Sequence, residues 1–225
     1  MSNHKPSYNG LPSFSLGRPM TRIAIRCLLA WILLALLPAY GQQTGSRFTS
    51  FAGFKLGSVT LSQVENDIAP ATLIEAGDAG EYEASICYRT PFGLVYFLSG
   101  EMGGSEHTLI GFRLAESDSS KRCAVWPGRR AAPKMSLGGL RLGVTQTEFS
   151  RSFATHIRWG KGVAYVAFES KLKMTPTEIE SLPEDVRLAT LAGTMQNYYD
   201  VLVSITGVFT DGKLSTLEVW KTESL

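Results

Sequence analysis

The chain has 225 residues, of which 44% are hydrophobic and 10% aromatic, with a formal net charge of +2. That length and composition are ordinary for a globular protein of one or two domains. The near balance of charge gives no global electrostatic case for nucleic-acid binding.

The first element is a targeting segment. Arg22 and Arg26 precede the apolar run CLLAWILLALLPAY (27–40), and Ala39 and Gly41 follow at an A-x-G spacing. This is a secretory signal pattern, with cleavage expected after Gly41. A retained anchor is the alternative, but the run has 14 residues and Pro38 interrupts its end, whereas a span needs roughly 20. Residues 1–19 are polar and rich in Gly, Pro and Ser, so Met20 reads as the working start. Cleavage removes four basic residues and no acidic one, which turns the formal +2 into −2. The expected mature protein is exported, periplasmic or extracellular, with no membrane span and no nucleic-acid partner.

Cys27 lies in the signal, which leaves Cys87 and Cys123. Two cysteines in an oxidising compartment point to one disulfide. No C-x-x-C is present and His107 and His156 are isolated, so neither a metal nor a cofactor is expected.

A first αβ repeat is expected over 48–117. It begins with FAGFKLGSVTLSQV, in which Thr60 and Gln63 have capping-box spacing and Val59 and Val64 that of a hydrophobic staple. Three strand-like runs follow: EASICYR (83–89), GLVYFLSGE (93–101) and HTLIGFRLAE (107–116). Residues 118–137 read as a linker, and its basic residues Lys121, Arg122, Arg129, Arg130 and Lys134 as a solvated surface. The second repeat, 138–225, echoes the first: LGGLRLGVTQTEF carries Thr145 and Glu148 as a capping box and Val144 and Phe149 as a staple. Its strands are GVAYVAFES (162–170), YDVLVSITGVFT (199–210) and KLSTLEVWKT (213–222), the last two joined by the hairpin signal Asp211-Gly212. A helical insertion over 175–198 separates the first two.

The fold class expected is therefore α+β, as two tandem helix-plus-three-stranded antiparallel sheet repeats with a helical insertion in the second. Two such units either pack together or lie side by side and extend their sheets.

The pattern at Leu142, Gly143, Thr145, Glu148 and Phe149, more weakly at Leu56, Gly57, Thr60, Gln63 and Val64, with the Asp211-Gly212-Lys213 hairpin, resembles two groups of small αβ modules. These are the SmpA/BamE lipoprotein family and the tandem modules of the β-lactamase-inhibitor-protein type. The resemblance implies a non-enzymatic envelope module that contacts other proteins through a sheet face or loops. No cysteine directly follows the signal, so the lipid anchor usual in the lipoprotein family is not implied.

No motif specifies a reaction. G-x-S-x-G, H-E-x-x-H and G-K-[ST] are absent. Ser170 and Lys173 form an S-x-x-K match, but on a strand and without its usual companions, and it reads as coincidence. The loop SGEMGGSEH (99–107) places Glu101, Glu106 and His107 beside three glycines, which also serve a plain chain reversal. His156, Arg158 and Trp159 read as the start of an exposed edge strand. The candidate binding residues are Glu101, His107, His156 and Trp159. Strand aromatics such as Tyr96, Tyr165 and Trp220 must partly face outward, where they would form a recognition surface unless another layer covers them. The preferred reading is a non-catalytic binding or envelope-interaction module whose partner is a protein or another envelope component. The alternatives are a small periplasmic hydrolase using Glu101, His107 and His156 between the repeats, and a brace within a larger assembly.

Overall fold

In the computed structural model, residues 45–78, 80–116, 122–128 and 131–225 are described. The signal segment 1–41, the choice of start at Met20 and linker positions Lys121, Arg129 and Arg130 lie outside them.

The first half opens on a small hairpin, β1 (Ser50–Phe51) with β2 (Phe54–Lys55). Helix α1 (Leu61–Ile68) follows, begun by Thr60 and Gln63, whose side chains and backbone N–H groups satisfy each other, and burying Leu61, Val64 and Ile68. Strands β3 (Ile74–Ala76), β4 (Glu83–Thr90), β5 (Gly93–Gly100) and β6 (Gly111–Ala115) come next, then β7 (Ala124–Val125). The second half has a matching hairpin, β8 (Ser136–Leu137) with β9 (Leu140–Arg141), and then helix α2 (Gln146–Arg151). Strands β10 (Arg158–Gly160) and β11 (Val163–Lys173) lead to helices α3 (Pro176–Ser181) and α4 (Glu184–Leu191). The chain closes on β12 (Tyr198–Thr210) and β13 (Lys213–Ser224).

Nine of these strands form one sheet, in the order β10-β11-β12-β13-β6-β5-β4-β3, with β7 pairing in parallel to β4. This overturns the expected α+β pair of helix-plus-three-stranded repeats. The protein is mostly β, and the first half contributes five strands, β7 included, and the second half four to a sheet with no break between the halves. The seam is β13 against β6, antiparallel over Thr216↔Ala115, Leu217↔Leu114, Val219↔Phe112 and Trp220↔Gly111. The six longer runs read from alternation are strands, but β3 and β10 add a fourth to each half.

Gly111 is required at this seam because the Trp220 indole lies on it: a Cβ there would stand 2.9 Å from Trp220 Cε3. Each half also ties its N-cap segment to the chain at the start of its seam strand, just before β6 in the first half and within β13 in the second. Gly57 N–H donates to the Leu109 carbonyl and Leu109 N–H to that of Val59, both at 2.8 Å. Gly143 N–H and the Leu214 carbonyl, and Leu214 N–H and the Val144 carbonyl, make the equivalent bonds at 2.8 Å.

Helices α1 and α2 and the small hairpins cover one face of the sheet. Phe97 lies beneath them with no exposed surface, meeting Phe54 at 5.4 Å and Phe112 at 5.9 Å between ring centroids. In the second half Phe149 of α2 packs on Phe153, Phe209 and Trp159.

The capping boxes differ in one respect that has a pH consequence. In the second half the Thr145 backbone N–H, then its hydroxyl, donate to the Glu148 carboxylate and hold its pKa below the ordinary glutamate value. Thr175 does the same for Glu178 at α3. A depressed folded pKa gives stability that is present above the unfolded value, about 4.3, and lost as pH falls through the folded one. Thermal unfolding followed from pH 6 to pH 3 should show this loss in the parent and a smaller one in Glu148→Gln, which reproduces the uncharged Gln63 box. Equal losses would contradict the assignment.

Candidate functional site

Side chains alternate across the sheet, so each strand has a helix-side set and an opposite set. On the helix side of the second half Ala164, Val166, Ile205, Leu217 and Val219 are wholly buried. On the opposite side every side chain in the corresponding positions is half-exposed or exposed: Val163, Tyr165 and Ala167 on β11, Leu202 to Val208 at alternate positions on β12, and Thr216 to Thr222 likewise on β13. Among the described residues no layer covers this second face.

The first half is different, because the Cys87–Cys123 disulfide brings the chain after β6 back onto the same face, with a Cα–Cα distance of 4.8 Å. Cys87, Leu94, Tyr96, Leu98, Ala115 and Cys123 form a buried cluster there. The pairing expected from the two cysteines is present, and it adds Cys123 to a buried cluster on one half of the face, while the side chains of the other half are half-exposed or exposed.

At the boundary between the two halves of the face stands Arg113. Its guanidinium bonds the Glu83 carboxylate at 2.7 and 3.1 Å and also pairs with Glu218 across the seam. Burial opposes the charge, but the two carboxylates outweigh it and hold the Arg113 pKa above its ordinary value. Glu218 also accepts from the Trp220 indole N–H, and the guanidinium carbon lies 5.7 Å from the Tyr96 ring centroid. The network orients Trp220 at the edge of the open face. At the opposite edge Arg158 lies 4.6 Å over the Tyr165 ring, beside a depression of about 460 Å³ lined by Arg158, Trp159, Gly160, Val163 and Tyr165.

Of the residues singled out in the sequence, Trp159 lies in this depression, 43% exposed, with its ring held by Phe149 and Phe209 at 6.1 and 5.4 Å. His156 is exposed just before β10. Glu101 and His107 share the loop between β5 and β6. The Glu101 carboxylate accepts from Gly80 N–H. His107 stacks on Tyr82 at 6.3 Å and its carbonyl accepts from Leu61 N–H at the start of α1. Its Nδ1 is buried with no hydrogen-bond partner among the described residues. The hydrolase arrangement requires Glu101, His107 and His156 in one pocket. Yet β10, next to His156, stands four inter-strand spacings from β6, next to His107, which is about 19 Å across the sheet.

Ser170 and Lys173 are three apart on β11, so their side chains leave opposite faces of the sheet and the S-x-x-K match brings no amine to the hydroxyl. Among the described residues no group of three His, Cys, Asp or Glu side chains is placed to hold a metal, and no helix is long and apolar enough to cross a membrane. A second cavity, about 210 Å³, lies on the helix side between Phe168, Val201 and Val203 and the amines of Lys55 and Lys221.

No local pattern marks Arg113 as a network centre, since its partners lie 30 and 105 residues away. The sequence shows only an arginine alternating with Phe112 and Leu114 in an otherwise apolar strand. No protein-family model, curated protein or solved structure matches the chain.

Proposed function

We propose that the protein is an exported, non-catalytic binding module that recognises a protein partner through the open face of its sheet. The observation that carries this reading is the contrast between the two halves of that face. In the first, Cys87, Leu94, Tyr96, Leu98 and Ala115 are buried in a cluster with Cys123, against which Trp220 packs, whereas Tyr165, Leu202 and Val208 in the second have no covering layer among the described residues.

The chemistry of the surface suits a protein rather than a small molecule. It is a flat sheet face with a shallow rim, whereas small ligands favour concave sites. Tyr, Trp and Arg are the side chains that most often anchor protein interfaces, because they bury large area at little conformational cost. Tyr165 and Trp220 are already oriented by Arg158 and Glu218, so less freedom is lost on binding. Export is supported by the signal pattern in 1–41 and by the disulfide, which persists in oxidising compartments. The resemblance to envelope and inhibitor modules points the same way.

The test compares three baits against envelope extract: the mature chain, a Thr206→Arg/Val208→Glu variant on the open face, and a Leu188→Ser control on α4. The reading predicts proteins retained by the parent and the control and depleted about tenfold or more by the face variant, roughly the 1.4 kcal/mol of one disrupted anchor. Retention unchanged by the face variant would refute it.

A further inference from the structure

The open face is not the only unpartnered surface. Strand β10 covers β11 only over Tyr165, Ala164 and Val163. From Val166 to Lys173 no described backbone group bonds to the outer side of β11, although its inner side pairs with β12 throughout. This is a free sheet edge, a surface that natural proteins ordinarily shorten, cover or charge.

We propose that this edge pairs with the same edge of a second copy, antiparallel about a two-fold axis at Ser170, so that two sheets join into one. The proposal rests on the sequence of the edge, AFESKLK (167–173), which is complementary to itself when reversed. Antiparallel pairing about Ser170 sets Glu169 opposite Lys171 of the second copy and Lys171 opposite its Glu169. It also sets Phe168 opposite Leu172, again twice. Opposite charges and apolar pairs at directly facing positions are what stabilise adjacent antiparallel strands. The small Ser170 stands at the axis, where it meets its own copy.

The backbone agrees with this register. Lys161 and Gly162 both have positive φ, 47° and 79°, the two-residue turn that makes Gly160 and Val163 the hydrogen-bonded closing pair of the β10–β11 hairpin. The N–H and C=O groups of Val163 therefore point outward, and so do those of every second residue after it: Ala167, Glu169, Lys171 and Lys173. Met174 N–H, at an even position, bonds inward to Asn197 at 3.0 Å. In the proposed register the outward residues face one another, Glu169 with Lys171 and Ala167 with Lys173, each pair exchanging two N–H···O bonds. The free stretch runs from the end of the β10 pairing to the start of α3, and Ser170 is its midpoint.

The side chains needed are accessible. Glu169 and Lys171 are exposed, and Leu172 is 46% exposed, unusual for a leucine on the helix side of this sheet. The new pairing stops short of Tyr165, which Arg158 of β10 already faces, so the start of the helical insertion of one copy comes next to the end of β10 of the other. A seven-residue strand pair alone buries less than a standard interface, so the dimer is expected to be weak, with Kd in the micromolar range.

Sedimentation equilibrium of the mature chain from about 1 to 200 µM tests the proposal by charge exchange. The parent should dimerise. Glu169→Lys and Lys171→Glu should each weaken dimerisation at least about tenfold by setting like charges opposite one another. The double variant Glu169→Lys/Lys171→Glu should recover to within about threefold, since opposite charges then face each other again with their positions exchanged. All three should keep the parent's unfolding temperature within a degree or two, which separates lost pairing from lost folding. A parent monomeric throughout the range would overturn the proposal. So would a dimer insensitive to either single change, or a double variant that fails to recover.

Discussion

Phe149→Ala should destabilise the protein by about 3–5 kcal/mol, the cost of removing a buried phenylalanine together with the cavity it leaves. Phe149 has no exposed surface and its ring centroid lies 4.9 Å from that of Phe153 and 5.4 Å from that of Phe209. The sheet beneath it is shaped to the ring: a Cβ on Gly207 would come within 3.0 Å of Phe149 Cε2. Little can therefore collapse into the gap. Domains of this kind have about 5–15 kcal/mol of total stability, so the loss is a large fraction of it, and urea denaturation measures it directly. A companion effect follows at the β10 edge of the sheet. Trp159 leans on Phe149 at 6.1 Å, so its fluorescence should shift to the red in the folded variant. A loss below about 1 kcal/mol would mean that α2 is not clamped to the sheet by this side chain.

The second large effect concerns the disulfide. Cys87 and Cys123 are 36 residues apart, and closing a loop of that size in the unfolded chain is worth about 4 kcal/mol in the chain-entropy account. A Cys87→Ser/Cys123→Ser variant should lose about that much. The change should also be visible as exposed apolar surface, because Leu94, Tyr96 and Leu98 are buried in the cluster that the bridge closes. Increased binding of a hydrophobic dye by the folded variant would show the first half of the face opening to match the second. Unaltered dye binding with unaltered stability would mean that the segment after Arg122 is held by other contacts.

What was legible in the sequence was local. The capping boxes at Thr60 and Thr145 depend on residues three apart, and Asp211 and Gly212 adopt the positive φ values, 50° and 74°, that their hairpin turn requires. Strands β4, β5, β11, β12 and β13 carry long enough apolar or alternating runs to be recognised. Strand β3 does not, with only three residues, and β10, Arg-Trp-Gly with all three exposed, was legible only as the start of an exposed edge strand at His156, Arg158 and Trp159. They are strands because β4 and β11 offer them an edge, not because of their own composition.

The arrangement of the halves was hidden for a related reason. Stacking two units or joining them edge to edge uses the same local patterns, and the choice rests on pairs distant in sequence: Trp220 over Gly111, and Glu218 with Arg113. No periodicity reveals such pairs. Once they form, β6 and β13 cease to be edges, and the expected pair of three-stranded repeats becomes a single sheet. The candidate site followed the same rule. Outward-facing Tyr165 and Trp220 could be foreseen from alternation, whereas which half of the face stays open depends on where the Cys123 segment lies.

The proposed binding surface depends on the continuity of the sheet across β6 and β13. The most direct test of that continuity is urea unfolding followed through one tryptophan in each half, using variants that retain only Trp126, packed on Tyr88 in the first half, or only Trp159, packed on Phe149 in the second. A sheet joined at β6 and β13 predicts one cooperative transition, with the same midpoint and the same slope from both reporters. Two separate transitions, with one half still folded while the other is lost, would contradict it.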